Sequence, residues 1–129
     1  MTHSAAFGSH ILADLYGVTP ELLRDRIALE SLLRTAALGA GAQVLGSHFH
    51  SFGTGDGVTG VVLLAESHIS IHTWPESAFA AADIFMCGAA DSNRALAVLL
   101  DAFAPVRQHI ETVERGLAGA MSIALRSGS

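Results

Sequence analysis

Apolar residues recur at two different spacings along the chain, and each change of spacing marks a predicted element. Recurrence at every second residue is typical of a strand, and recurrence at every third or fourth residue is typical of an amphipathic helix. Glycine, proline and short polar clusters separate these segments. The sequence predicts strands over residues 10–16, 43–52, 58–65, 69–74, 79–87 and 106–113, and helices over about 20–39 and 92–103.

Both predicted helices carry start signals. Thr19-Pro20-Glu21 provides an N-cap residue, a proline at the first helical position and an acid in the first turn, and Asp91-Ser92-Asn93 provides a second cap. The element order β-α-β-β-β-β-α-β predicts an α+β fold, a two-layer sandwich in which two helices cover one face of a mostly antiparallel sheet. We expect a single domain over residues 8–115 and a frayed tail over 116–129.

The fourth predicted strand has two chemically different faces. Its even-numbered residues from His68 to Trp74 are polar or aromatic, whereas its odd-numbered residues from Ile69 to Thr73 are mostly apolar. Side chains alternate between the faces of a strand, so the isoleucine face belongs to the core and the histidine face is exposed or lines a pocket. Ser67 has the parity of the isoleucines. If it acts together with His72, the chain must kink or bulge at Glu66-Ser67.

Composition narrows the class of protein. Half of the 129 residues are apolar and the mean hydropathy is +0.44, which is more apolar material than one small domain needs, so we expect an oligomer, with a dimer as the simplest form. No apolar run is long enough to span a membrane, no secretory signal pattern precedes the first strand, and Cys87 is the only cysteine, so we expect a cytoplasmic protein. A formal charge of −5 with seven Lys and Arg argues against a nucleic-acid partner.

Histidine is frequent, and a metal site is one interpretation of it. His48 and His50 lie on one face of the second predicted strand, and His68 and His72 could complete a ligand set. The carboxylate expected a few residues after such a pair is missing, since the first acid is Asp56 in a glycine-rich turn. We therefore expect no metal, and a non-catalytic, histidine-rich metal- or ligand-binding domain stays open as the alternative to an enzyme.

Nucleophilic side chains support two further interpretations. Ser67 lies outside the Gly-x-Ser-x-Gly turn of many hydrolases, but it could form a hydrolase triad with His72 and one of three acids, Glu66, Glu76 or Asp83. Cys87 ends an apolar strand, where it is either an inert core residue or a nucleophile or acid that reaches into a pocket.

Several strings of residues together resemble one known family. They are Gly57-Val-Thr-Gly60, Glu66-Ser-His-Ile-Ser-Ile-His-Thr-Trp-Pro-Glu76, Ala81-Ala-Asp83 and Phe85-Met-Cys-Gly88. Over about residues 8–115 the chain is similar to the prokaryotic S-adenosylmethionine decarboxylase family, and the long second string is highly specific. The resemblance favours a function for Ser67, His72 and Cys87.

The resemblance implies that the protein makes its own cofactor. The Ser67 hydroxyl would attack the carbonyl of Glu66 and convert the peptide into an ester. Removal of the Ser67 Cα proton would then release Glu66, and the dehydroalanine left at position 67 would hydrolyse to a pyruvoyl group. By the same resemblance His72 is the base and Thr59 assists the processing. Cleavage would give a beta chain of residues 1–66 and an alpha chain of residues 67–129.

The reaction that the resemblance implies is decarboxylation of S-adenosylmethionine to S-adenosylmethioninamine, for spermidine biosynthesis. The substrate amine would form a Schiff base with the pyruvoyl carbonyl, which withdraws electrons from the bond that breaks. Cys87 matches the family's proton donor, Phe52 matches the residue that stacks on adenine, and Glu76 matches the residue that binds ribose.

Three places depart from the family pattern, all of them around the expected substrate pocket. They are the long glycine-rich turn Gly53–Gly57, the segment Ser77-Ala78-Phe79, and Met86 before the cysteine. Asp56 could pair with a cationic group at the far end of a substrate. Arginine or ornithine therefore stays open as an alternative substrate on the same scaffold.

Overall fold

The computed structural model of the protein describes residues 6–116. In chain order the strands and helices are β1 Gly8–Tyr16, α1 Pro20–Leu23, α2 Arg26–Gly39, β2 Val44–Ser51, β3 Val58–Leu64, β4 Ser67–Trp74, β5 Phe79–Cys87, α3 Ser92–Phe103 and β6 Arg107–Arg115. A single 3₁₀ turn, Pro75–Ser77, separates β4 from β5. The tail predicted over 116–129 lies outside the described residues from position 117 onward.

The six strands within residues 6–116 belong to one sheet, in the order β2-β3-β4-β5-β1-β6. Each neighbouring pair is antiparallel, which confirms the predicted α+β architecture. Helix α2 packs over β2, β3 and β4, and α3 packs over β5 and β1 beside it. Helix α3 begins after Asp91, whose carboxylate accepts a hydrogen bond from the Asn93 N–H, as predicted.

The first predicted helix is divided in two, so the prediction of one helix over residues 20–39 is wrong. A new helix starts after Asp25, because the carboxylate of Asp25 accepts a hydrogen bond from the Ala28 N–H at 3.0 Å. Thr19 precedes the short α1 but makes no capping hydrogen bond through its side chain. The break leaves Ile27 70% exposed, although its spacing predicts a core position.

The sheet has an apolar inner face, covered by the helices, and a mixed outer face. The inner face is buried and includes Ile11, Leu15, Ile69, Ile71 and Ile84, which confirms the predicted parity of β4. The outer face carries partly exposed apolar side chains from four strands: Leu12, Leu63, Trp74 and Val113. None of the helices within residues 6–116 has the length and apolar character that a membrane span requires.

Thr73 is a buried polar residue that connects three elements. It lies on the inner face of β4 and is 6% exposed. Its hydroxyl donates to the Leu23 carbonyl at 2.6 Å and accepts from the Val58 N–H at 2.8 Å. The hydroxyl therefore joins the end of α1 to the first residue of β3, and it fixes the base of the turn Gly53–Gly57 that precedes β3.

Replacing Thr73 with valine should destabilise the protein by about 2–4 kcal/mol, because the Val58 N–H and the Leu23 carbonyl would be left buried without a partner. Thermal unfolding at matched protein concentration measures the effect. Thr73→Ser is the control, since it keeps the hydroxyl and loses one methyl group, worth roughly 1 kcal/mol. Equal melting temperatures for the valine and serine variants would contradict the prediction.

Candidate active site

Ser67 is the first residue of β4 and follows a tight two-residue turn. Leu64 of β3 pairs directly with Ser67, so only Ala65 and Glu66 connect the two strands. Glu66 is exposed and has a positive φ of 61°. The hydroxyl oxygen of Ser67 accepts a hydrogen bond from the backbone N–H of Cys87 at 3.2 Å. The structure therefore brings Glu66, Ser67 and Cys87 together at one end of the sheet, which we call the serine end.

Cys87 is a half-buried free cysteine at the last position of β5. It pairs with Gly8 of β1, and both residues line a cavity of about 330 Å³ together with Ser92 and Glu114. Cys87 therefore lies at the edge of a cavity and is not enclosed in the apolar core.

His72 lies at the opposite end of β4, on the outer face. Its Nδ1 is 3.1 Å from the hydroxyl oxygen of Thr59, its cross-strand partner in β3. Phe52, 62% exposed, follows β2 at the same end, with its ring 4.7 Å from that of His50. Glu76 is exposed in the 3₁₀ turn directly after β4. Thr59, His72, Phe52 and Glu76 form a second group, which we call the histidine end.

The serine end and the histidine end of one chain do not meet. Ser67 and His72 are five residue steps apart along an extended strand, which is about 17 Å, and their side chains have opposite parity. The strand β4 pairs with β3 without interruption from Ser67 to His72 and with β5 from His68 to Trp74. The kink or bulge at Glu66-Ser67, on which joint action within one chain depends, is therefore absent, and that hypothesis is wrong for a single chain.

The hydrolase interpretation fails for the same reason. Its triad requires the His72 imidazole within hydrogen-bond reach of the Ser67 hydroxyl, and the strand geometry excludes that contact within one chain. The candidate acids are also dispersed: Glu66 shares the serine end, Glu76 lies at the histidine end, and Asp83 has other partners.

Asp83 is the centre of a polar cluster on the outer face that the sequence did not predict. Its carboxylate accepts hydrogen bonds from His10 at 2.7 Å, from His68 at 3.3 Å and from the Ser70 hydroxyl. Partial burial raises the pKa of Asp83, but the hydrogen bonds from Ser70, His10 and His68 outweigh that effect and leave the pKa below its usual range. The one feature of the sequence that could have indicated this cluster is that Asp83 is an isolated acid on an otherwise apolar strand.

His10, His68 and Asp83 lie close enough together to hold a metal ion. The surroundings of His10 oppose that role. Arg115 Nη1 is 2.9 Å from His10 Nδ1, and a guanidinium only donates, so Nδ1 accepts and the proton of a neutral ring is on Nε2. A ligating histidine normally keeps the proton on the nitrogen that faces away from the metal. The cluster is better described as a hydrogen-bond network.

Among residues 6–116, the group that could hold a metal differs from the four histidines that the sequence suggested as ligands. His48 and His50 lie on β2, the edge strand farthest from β6, and His72 bonds to Thr59. The four-histidine ligand set is therefore not supported by the structure.

Comparison with known proteins identifies relatives over nearly the whole described chain. The family model for S-adenosylmethionine decarboxylase matches residues 9–116. The chain is 42% identical, over 87% of its length and 90% of the relative's, to the S-adenosylmethionine decarboxylase proenzyme of Moorella thermoacetica. It is 46% identical, over 84% of its length and 82% of the relative's, to the proenzyme of the same name from Persephonella marina.

The fold is also that of a solved relative. The crystal structure of the adenosylmethionine decarboxylase from Aquifex aeolicus matches with a TM-score of 0.82 and 39% identity, covering 89% of this chain and 95% of the other. The sequence motifs, the sheet topology and these matches agree, and the chain belongs to the S-adenosylmethionine decarboxylase family.

Proposed function

We propose that the protein is a self-processing decarboxylase that converts S-adenosylmethionine into S-adenosylmethioninamine and CO₂, in the cytoplasm and for spermidine biosynthesis. The observation that carries the proposal is the position of Ser67 at an exposed two-residue turn, in a chain whose relatives are named proenzymes. Cleavage between Glu66 and Ser67 divides the chain into residues 1–66 and 67–129.

The contacts at the serine end suit an attack of Ser67 on the preceding peptide bond. The Cys87 N–H holds the hydroxyl oxygen by its hydrogen bond. The oxygen bonds to the Glu66 carbonyl carbon, and the amide becomes an ester. A base then takes the Cα proton of Ser67, Glu66 leaves as a carboxylate, and water converts the remaining dehydroalanine into a pyruvoyl group with loss of ammonia. The Ser67 hydroxyl and the exposed turn that precedes it are the groups from which such a cofactor forms.

When present, the pyruvoyl group withdraws electrons from the bond between the substrate's α-carbon and its carboxylate. The substrate must regain a proton after CO₂ leaves, and the Cys87 thiol is the acid that lies at the serine end. Phe52 and Glu76 at the histidine end offer an exposed ring and a carboxylate, which suit the adenine and the ribose hydroxyls of S-adenosylmethionine.

A complete site requires two chains. Ser67 and Cys87 lie at one end of the sheet, and His72, Thr59, Phe52 and Glu76 lie at the other. Two protomers can pack outer face against outer face around a two-fold axis that is perpendicular to the strands. Such an axis makes the strands of the two protomers run in opposite directions. The serine end of one protomer then faces the histidine end of its partner. The apolar side chains of the outer face supply the contact area: Leu12, Leu63, Trp74 and Val113. We therefore propose a dimer with two equivalent shared sites.

Ser67→Ala should give an uncleaved, folded and inactive chain of 13.4 kDa, whereas the wild type should give two bands on a denaturing gel. Alanine lacks the oxygen that starts the acyl shift. Release of labelled CO₂ from S-adenosylmethionine, arginine and ornithine, assayed in parallel, then identifies the substrate. A single wild-type band would contradict self-processing, and preference for arginine or ornithine would contradict the substrate.

Coexpression of Ser67→Ala and His72→Ala chains that carry tags of different size tests the shared site. In a mixed dimer the His72→Ala chain keeps its serine and receives the imidazole of the Ser67→Ala partner. We expect cleavage of the His72→Ala chain in the mixture and none when either variant is expressed alone. No cleavage in isolated mixed dimers would contradict a site built from two chains.

Cys87→Ala should still self-cleave but turn over poorly. The backbone N–H that contacts Ser67 is kept in alanine, whereas the proton donor is lost, and such donors typically contribute about 10²–10⁴-fold to rate. Single-turnover and steady-state assays measure the loss, and the mass of the 67–129 fragment after long reaction shows whether its terminal group survives. A wild-type rate with an intact terminal group would show that Cys87 is only a structural residue.

A further inference from the structure

The backbone of Glu66 has a conformation that residues other than glycine seldom adopt. Its φ of 61° lies in the left-handed region. Glu66 is the second residue of the two-residue turn between Leu64 and Ser67. The favoured two-residue hairpin turns have positive φ at the first position or at both, because those turns match the twist of the strands. Here the first residue, Ala65, does not have a positive φ.

Other positive φ values in the chain occur where the fold accommodates them easily. Ala78 and Ala104 follow a 3₁₀ turn and α3, and a left-handed residue is a common way to end a helix. The turn between β2 and β3 uses Gly53 and Gly55. Among residues 6–116, Glu66 is the one residue other than glycine that has a positive φ without directly following a helix or a 3₁₀ turn.

We propose that the strained turn at Glu66 promotes self-cleavage, because it raises the energy of the intact peptide and relaxes when Ser67 takes over the acyl group. The inference rests on the self-processing function proposed above. In this shift the Ser67 oxygen bonds to the Glu66 carbonyl carbon, the bond from that carbon to the Ser67 nitrogen breaks, and the hydroxyl proton ends on the nitrogen. The ester is an isomer of the amide, so no other reactant is consumed.

The covalent path across the turn explains why the strain is released. In the amide, the Glu66 carbonyl carbon reaches the Ser67 Cα through the nitrogen, by two bonds. In the ester it reaches the same Cα through Oγ and Cβ, by three bonds. The turn is then one bond longer while β3 and β4 stay paired, so Glu66 is no longer forced into the left-handed region.

The same geometry holds the attacking oxygen of Ser67 in place next to the strained turn. Ser67 Oγ is held by the Cys87 N–H at 3.2 Å, so the attacking atom is fixed on β5 while the strain lies in the peptide that it attacks. Glu66 is thus a positioning residue through its backbone, independent of its carboxylate. The left-handed conformation disfavours residues other than glycine roughly five- to thirtyfold, which sets the upper limit of the effect on processing.

Substitutions at position 66 separate backbone strain from the side chain. Glu66→Ala and Glu66→Gln remove the carboxylate and keep the strain, Glu66→Asn eases it, and Glu66→Gly removes it. The rate of appearance of the 67–129 fragment after refolding should be highest for Ala and Gln, intermediate for Asn and about fivefold lower for Gly. Ala104→Gly, which relaxes a left-handed residue at the end of α3, is the matched control and should process like the wild type.

A second measurement does not depend on processing. In the uncleavable Ser67→Ala background, Glu66→Gly should melt roughly 2–4 °C above Glu66→Ala, because the intact turn is then relaxed. Equal melting temperatures would show that the turn is unstrained, and processing of Glu66→Gly at the rate of Glu66→Ala would show that the strain plays no part; either result overturns the inference. If the wild type never cleaves, the proposed function fails, and the melting comparison still decides whether the turn is strained.

Discussion

Backbone hydrogen bonding along both edges of β4 fixes the distance between the two halves of the candidate site. The strand pairs continuously with β3 on one side and β5 on the other. A strand held in this way cannot shorten or rotate, so Ser67 and His72 keep opposite parity and a separation of about 17 Å. The candidate residues are therefore close together in the sequence but divided between two ends of the sheet, and this constraint is the reason for proposing a site built from two chains.

The outer face of the sheet combines exposed apolar side chains with the hydrogen-bonded carboxylate of Asp83. Asp83 lies among donors from β1 and β4, and these hydrogen bonds hold three neighbouring strands in register on that face. The pKa of Asp83 is lower in the folded protein than in the unfolded chain. These hydrogen bonds therefore stabilise the fold fully at pH values above the usual pKa of an aspartate, and the stabilisation is lost as the pH falls through the folded-state pKa. A carboxylate that is already satisfied by hydrogen bonds can lie within a subunit contact without an unpaired charge.

The turns that precede and follow β3 are built differently, and the difference matches their positions. The turn between β2 and β3 is long, uses glycine where φ is positive, and is tied at its base by Thr73. The turn between β3 and β4 is as short as a hairpin permits and places Glu66 in the left-handed region. The first turn presents exposed side chains at the histidine end, whereas the second holds the peptide bond that Ser67 would attack in the proposed processing.

The sequence by itself determined the strands, the alternation of β4 and the family, because these depend on local spacing and on a short specific motif. It misplaced one helix, since the capping hydrogen bond of Asp25 outweighs a continuous apolar periodicity that includes Ile27. Only the tertiary structure decided which residues share an end of the sheet. The pairing of β1 with β5 brings His10 to Asp83, and the register of β4 with β5 brings Ser67 to the Cys87 N–H. Such contacts join residues far apart in sequence, and strand register, which local periodicity does not encode, determines them.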